Sequence, residues 1–198
     1  MTAASSVMRA GQLIASAVLA ALLAAGVPAS AAAQIEILLT RPLVTAVEKG
    51  DFLTVKQSLL KGESPNQIDA RRQPVLLLAV SKGFVEIAEV LLANGAVVDA
   101  TDPEGRTALI RAAERNDPAM VQMLLRRNLR INAQDRQGIT ALMLAARNGS
   151  TEIVRALLDK RADPNVADYT GRTALAYARE SRRGGGVTDL LRRAGGKG

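Results

Sequence analysis

The sequence repeats itself every 33 residues, and this period limits the fold more than any other feature. Thr107-Ala108-Leu109, Thr140-Ala141-Leu142 and Thr173-Ala174-Leu175 stand one period apart, and two steps back fall on Pro74-Val75-Leu76 and Arg41-Pro42-Leu43. Other columns keep the same step: Gly50, Gly83, Asn116 and Gly149; Leu91-Leu92, Leu124-Leu125, Leu157-Leu158 and Leu190-Leu191; Asn66, Asp99, Asn132 and Asn165. Asp69, Asp102, Asp135 and Asp168 form a further column, each followed three residues later by Arg72, Gly105, Gly138 or Gly171. A fixed period of this length marks stacked supersecondary units, each too small to bury its own apolar face.

Each column has a local physical reading. Thr or Pro at the head of the unit suits a helix N-terminus, through a side-chain cap or a pre-set φ. Leu142, Met143, Ala145 and Ala146 give a short apolar helix with small residues for close packing, and Asn148-Gly149 stops it. A second helix follows, with Asp117-Pro118 as cap and first residue and with Ile153, Val154, Leu157 and Leu158 as its apolar stripe. The Asp-x-x-Gly segments read as tight turns, Asp bonding the local backbone and Gly supplying the left-handed residue. The unit is therefore helix, turn, helix, exposed hairpin-like loop, and the fold class is an all-α solenoid of about five units near 41–73, 74–106, 107–139, 140–172 and 173–196. Matching the leucine pairs gives the first unit one extra residue before Leu59-Leu60 and one fewer after. Gly184-Gly185-Gly186 falls inside the second helix of the last unit, whose edge is expected to fray first. A buried Leu or Ile contributes ~1.5–3 kcal/mol while ordering each residue costs ~1–2 kcal/mol, so one unit alone does not fold and a stack does.

These residues resemble the ankyrin repeats, a family built on D-x-x-G-x-T-P-L-H-x-A-A, a Gly-ended inner helix, an outer helix with paired leucines and a G-A-D-x-N loop. The resemblance covers about residues 41 to 196. The family's histidine is replaced by Val44, Leu77, Ile110, Met143 and Ala176, which exchanges its Thr to His hydrogen bond for apolar packing, and Arg72 stands where a turn glycine belongs. The resemblance implies that the turn tips and the exposed side of the inner helices line a concave face for protein recognition. Carried over by position, the tips supply Arg71, Gln73, Glu104, Arg106, Arg136, Gln137, Ile139, Tyr169, Thr170 and Arg172, and the inner helices add Ser81, Lys82, Glu114, Arg115, Arg147 and Asn148. Arg and Tyr are favoured interface anchors, so Arg106, Arg115, Arg136, Arg147, Tyr169 and Arg172 are the expected dominant contacts.

The N-terminal residues read as a targeting signal. A short polar stretch with Arg9 precedes the Ala/Leu-rich run from Leu13 to Ala25, Pro28 breaks it, and Ala31-Ala32-Ala33 is a small-residue cleavage pattern. Residues 1–33 are expected to be removed, leaving 34–40 as a lead-in to a repeat domain at 41–198. Met8 makes an equally good start to Met1. Export through a Sec-type signal places the mature chain in the periplasm or medium. The alternative is a membrane-tethered scaffold that retains the segment, although the run is short and Ala-rich for a span of ~20 apolar residues.

The remaining composition excludes chemistry more than it suggests it. With no Cys and no His, the chain has no disulfide, thiolate, imidazole base or common zinc site. No Walker lysine or dinucleotide glycine motif is present, and the repeating acids are turn formers rather than catalytic pairs, so no enzyme, cofactor or metal is expected. Arg182 and Arg183 before the glycines could hold an anion at a helix start, but a loosened final repeat is the plainer reading. Nucleic acid is not expected as a partner, because only 2% of residues are aromatic and none is Trp. Charge is uneven: residues 34–105 hold 7 Lys and Arg against 10 Asp and Glu, residues 106–198 hold 18 against 9. Arg126, Arg127, Arg130, Arg155, Lys160 and Arg161 fall on the outer helix and loop, as solubilising charge. The expected partner is a protein, acidic on the contact surface, bound by a monomer.

Overall fold

The computed structural model describes residues 42–181 and 185–197. The expected signal at residues 1–33, the lead-in at 34–40, Arg41, Arg182, Arg183, Gly184 and Gly198 lie outside the described residues. Among the described residues ten helices follow in five pairs: α1 (Pro42–Lys49) with α2 (Phe52–Leu60), α3 (Val75–Lys82) with α4 (Val85–Ala93), α5 (Ala108–Glu114) with α6 (Pro118–Leu124), α7 (Ala141–Asn148) with α8 (Thr151–Asp159), and α9 (Ala174–Glu180) with α10 (Gly185–Arg193). Among the described residues extended pairing is limited to two isolated bridges, Ile68 with Pro74 and Ala167 with Thr173, each at the base of a hairpin. The chain is an all-α repeat solenoid, as the period predicts.

Consecutive first helices pack on one another to form an inner layer, and consecutive second helices form an outer layer. Fully buried Ala79, Ala112, Ala113, Ala145 and Ala146 let the inner helices approach closely, while Leu91, Leu124 and Leu157 fill the space between layers. The core is one continuous cluster from Leu43 to Leu191.

Local chemistry fixes the helix ends. The Thr140 hydroxyl accepts from the Met143 N–H at 3.3 Å, and Met143 Sδ accepts from the Thr140 N–H at 3.4 Å, so a thioether stands in for the missing histidine as reciprocal cap. Thr107 caps Ile110 N–H at 3.4 Å, and Asp117 caps Met120 N–H at 3.0 Å ahead of Pro118. Asn116, φ 54°, takes the left-handed position that Gly83 and Gly149 take elsewhere, which Asn tolerates better than most residues.

Two readings of the repeat register are corrected. In the first unit Ser58, 4% exposed, occupies the place of Leu91, and Leu60, 78% exposed, falls outside. The Glu63 N–H to Ser58 carbonyl bond (3.1 Å) matches Ala96 to Leu91 (3.0 Å), so the period is unbroken and no extra residue exists. The leucine letters slid by one position while the backbone did not. The last unit instead carries the insertion: Gly196 N–H to Leu191 carbonyl (2.8 Å) matches Ala162 to Leu157 (3.0 Å), a step of 34. Gly185 and Gly186 are the first turn of α10 rather than its interior.

Candidate protein-docking face

Each hairpin between units is built around its aspartate. Oδ1 of Asp69, Asp102, Asp135 and Asp168 accepts the backbone N–H groups two and four residues on, at 2.8–3.0 Å. All four carboxylates are buried, spent on turn formation as expected. Arg72, at φ 63°, reproduces the turn that Gly105 and Gly138 make, with the same N–H bond back to the aspartate carbonyl (3.1 Å), so the first hairpin keeps the common geometry under local strain.

Neighbouring hairpins are tied tip to tip. Arg136 N–H donates to the Glu104 carbonyl and Tyr169 N–H to the Gln137 carbonyl, both at 3.1 Å. The tips touch so closely that a Cβ on Gly138 would lie 2.8 Å from Tyr169 N. Between the first and second hairpins the tie cannot form, because Pro103 occupies the donor position and has no N–H. A cleft of about 390 Å³ opens there, lined by Arg71, Gln73, Pro103, Glu104, Arg106 and Arg111 among others.

The second carboxylate oxygen is used differently from unit to unit. Arg111 Nε donates to Asp102 Oδ2 at 2.8 Å, and the Tyr177 hydroxyl donates to Asp168 Oδ2 at 2.7 Å. Arg111 and Tyr177 share one column, which Leu78 and Leu144 occupy in units two and four. Asp135 instead pairs with Arg106 of the preceding hairpin at 3.7 Å. Burial alone would raise the Asp168 carboxyl, but hydrogen bonds from the Thr170 hydroxyl, Arg172 N–H and Tyr177 hydroxyl outweigh it and hold it well below the usual carboxylate range. Burial and the bond to Asp168 push the Tyr177 phenol up to about 12. Burial disfavours charge on Arg111 as well, yet its bonds to Asp102 and Glu114 more than compensate and raise it.

Against this scaffold the sequence candidates divide into two groups. Arg106 is held by Glu114 (3.1 Å), and Arg172 by Asp168 (3.1 Å) and by Tyr177, over whose ring it sits at 4.6 Å. Arg115 Nη1 donates to the Ser81 carbonyl at 2.6 Å and Asn148 Nδ2 to the Ala113 carbonyl at 3.0 Å, so this inner-helix position reaches back to cap the preceding unit. Gln73 Nε2 donates to Ser81 Oγ at 3.1 Å, and Ile139 packs against the core. Glu104 is exposed with Arg111 at 3.5 Å, while Gln137 and Thr170 offer exposed polar tips. The other group is exposed without a side-chain hydrogen bond or ion pair among the described residues: Arg71, Lys82, Arg136, Arg147 and Tyr169, the last 74% exposed.

Sequence reasoning missed Arg111 and Tyr177, whose signal was a polar residue interrupting an apolar column nine residues after the turn aspartate. It also missed Arg179, exposed on α9. The inner side of units three to five is not basic in sum. Its hairpins and inner helices (101–117, 134–150 and 167–181) carry seven Lys and Arg against seven Asp and Glu.

The outer loops carry a second set of ties. Asn66 Oδ1 accepts from Val97 N–H (2.9 Å), Asp99 from Arg130 N–H (3.1 Å), Asn132 from Asp163 N–H (2.9 Å) and Asn165 from Lys197 N–H (2.8 Å). The Asn/Asp column thus staples each unit to the next.

A family profile described as Ankyrin repeats (3 copies) matches residues 43–135 and again 116–196, together almost all of the described chain. No curated protein matches the sequence significantly. With five helix pairs, aspartate-built hairpins and a profile match over this extent, the chain belongs to the ankyrin repeat family.

Proposed function

We propose that this chain is a periplasmic adaptor that docks an acidic surface of another protein on the hairpin tips and inner helices of units three to five. Ankyrin repeats generally mediate protein–protein interaction. The observation that carries the finer reading is the group Arg136, Arg147 and Tyr169, exposed cations and an aromatic with no side-chain hydrogen bond or ion pair among the described residues, on an inner helix and on hairpins fixed to each other by backbone ties. Arg106 and Arg172 are occupied within the fold, so their replacement reports on stability as well as binding.

The test is affinity capture from a periplasmic fraction with the mature chain and with an R136E, R147E, Y169A variant. An acidic protein retained by the parent and lost by the variant, at unchanged far-UV circular dichroism, is the expected outcome; undiminished capture removes the assignment. N-terminal sequencing of the exported protein tests the location. A start near Gln34 fits the adaptor, and an intact apolar segment favours the membrane-tethered scaffold.

A further inference from the structure

Dividing the charge by layer places the basic excess on the side away from the proposed docking face. In units three to five the outer helices and following loops (118–132, 151–165 and 185–197) hold nine Lys and Arg against four Asp and Glu. The same layer in units one and two (52–66 and 85–99) holds two against four. Basic doublets recur at the C-terminal ends of the last three outer helices: Arg126-Arg127, Lys160-Arg161 and Arg192-Arg193. Arg130 and Lys197 extend the row in the outer loops. All are exposed, and Arg126, Arg127, Arg155, Lys160, Arg161, Arg193 and Lys197 form no ion pair among the described residues. Arg130 and Arg192 have only loose partners, Asp99 and Asp189, both at 3.7 Å.

A helix C-terminus favours a cation, but that does not account for the doublets, because Leu60-Lys61 and Ala93-Asn94 end the first two outer helices without them. Solubility does not account for them either, since a solubilising surface intersperses both signs. With packed helices ~8–10 Å apart, the three doublets form a row ~20 Å long. Its features point to a smeared planar charge rather than to a shaped partner. These helices and loops contain no Phe or Tyr for stacking on bases, and they expose no large apolar side chain as a buried anchor for a protein.

We propose that the outer edge of units three to five is a docking surface for an anionic lipid bilayer, held by headgroup charge without insertion, and separate from the protein-docking face. Long Lys and Arg side chains near an anionic leaflet are each attracted to it, and the attraction is screened by salt. The chain would then lie with its outer layer on the membrane and its hairpins turned away, free to hold a protein.

The experiment is flotation of the full chain with vesicles of phosphatidylglycerol and phosphatidylethanolamine, and with vesicles of phosphatidylcholine alone. A retained apolar N-terminus enters both kinds, so the difference between them reads the charged edge. Binding only to anionic vesicles, weakened by added salt and reduced about a thousandfold at low salt by R126Q, R127Q, K160Q and R193Q together, is the expected result. R136Q with R147Q leaves vesicle binding unchanged. Equal partition into both vesicles overturns the proposal, as does indifference to the four substitutions or loss with the inner pair instead. Soluble poly-glutamate binding as tightly as the vesicles would make the surface a general polyanion site and overturn the lipid assignment. Vesicle binding and partner capture fail independently, because the two variants share no residue.

Discussion

Arg72 and Gly138 perform the same turn at different expense. A non-glycine residue in the left-handed region costs about 1–2 kcal/mol, so R72G is expected to raise stability by about 1 kcal/mol in urea unfolding, with unchanged m. G138A combines the same strain, at φ 80°, with a Cβ only 2.8 Å from Tyr169 N, and is expected to lose more than R72G gains. Tyr177 offers a second check. With Tyr169 replaced by Phe it is the single tyrosine, and its absorbance at 295 nm should titrate near 12 rather than near the ordinary ~10. Because the folded value is raised, the stability tied to the neutral phenol is complete below pH ~10 and is lost as pH rises through about 12. Asp168 has the opposite sign: its lowered value gives stability present above pH ~3.9 and lost as pH falls toward its folded value. Y177F should therefore flatten the alkaline limb of the stability profile.

Between elements, the structure depends on polar ties as much as on the leucines. N132A removes the acceptor for Asp163 N–H and is expected to destabilise the chain by about 1 kcal/mol, with faster amide exchange concentrated at residues 160–165. The helices, their caps and the turn aspartates were legible in the sequence because each is a short-range device: Thr140 meets Met143 within one turn, and Asp135 meets Gln137 and Ile139 within one hairpin. What spans units was not legible in the same way. Asn66, Asp99, Asn132 and Asn165 were visible as a column, but their use as staples needs a partner about 31 residues away. Arg115 read as an exposed anchor because nothing in the sequence places the Ser81 carbonyl beside it. Ser58 was misread since hydrophobicity pointed to Leu59-Leu60, whereas the position of Gly62, φ 86°, fixes the frame.

For the molecule as a whole, each helix pair packs against its sequence neighbours, so stability is a sum of unit and interface contributions. Amide protection is expected to be greatest in α5 and α7 and to decline toward both ends; uniform protection would mean an all-or-none array. The division of charge also belongs to this scale. A chain with a formal net charge of +7 has a neutral inner side and a basic outer side in its last three units, a contrast hidden until each residue is assigned to a layer. Pro103 has one more effect. Between units one and two the hairpin tie is absent, but the outer staple from Asn66 to Val97 remains. In an optical trap pulling on the two ends, that junction should part at a lower force than the two that carry the tie, and P103A, which restores the donor, should raise that force and leave the other rupture steps where they were.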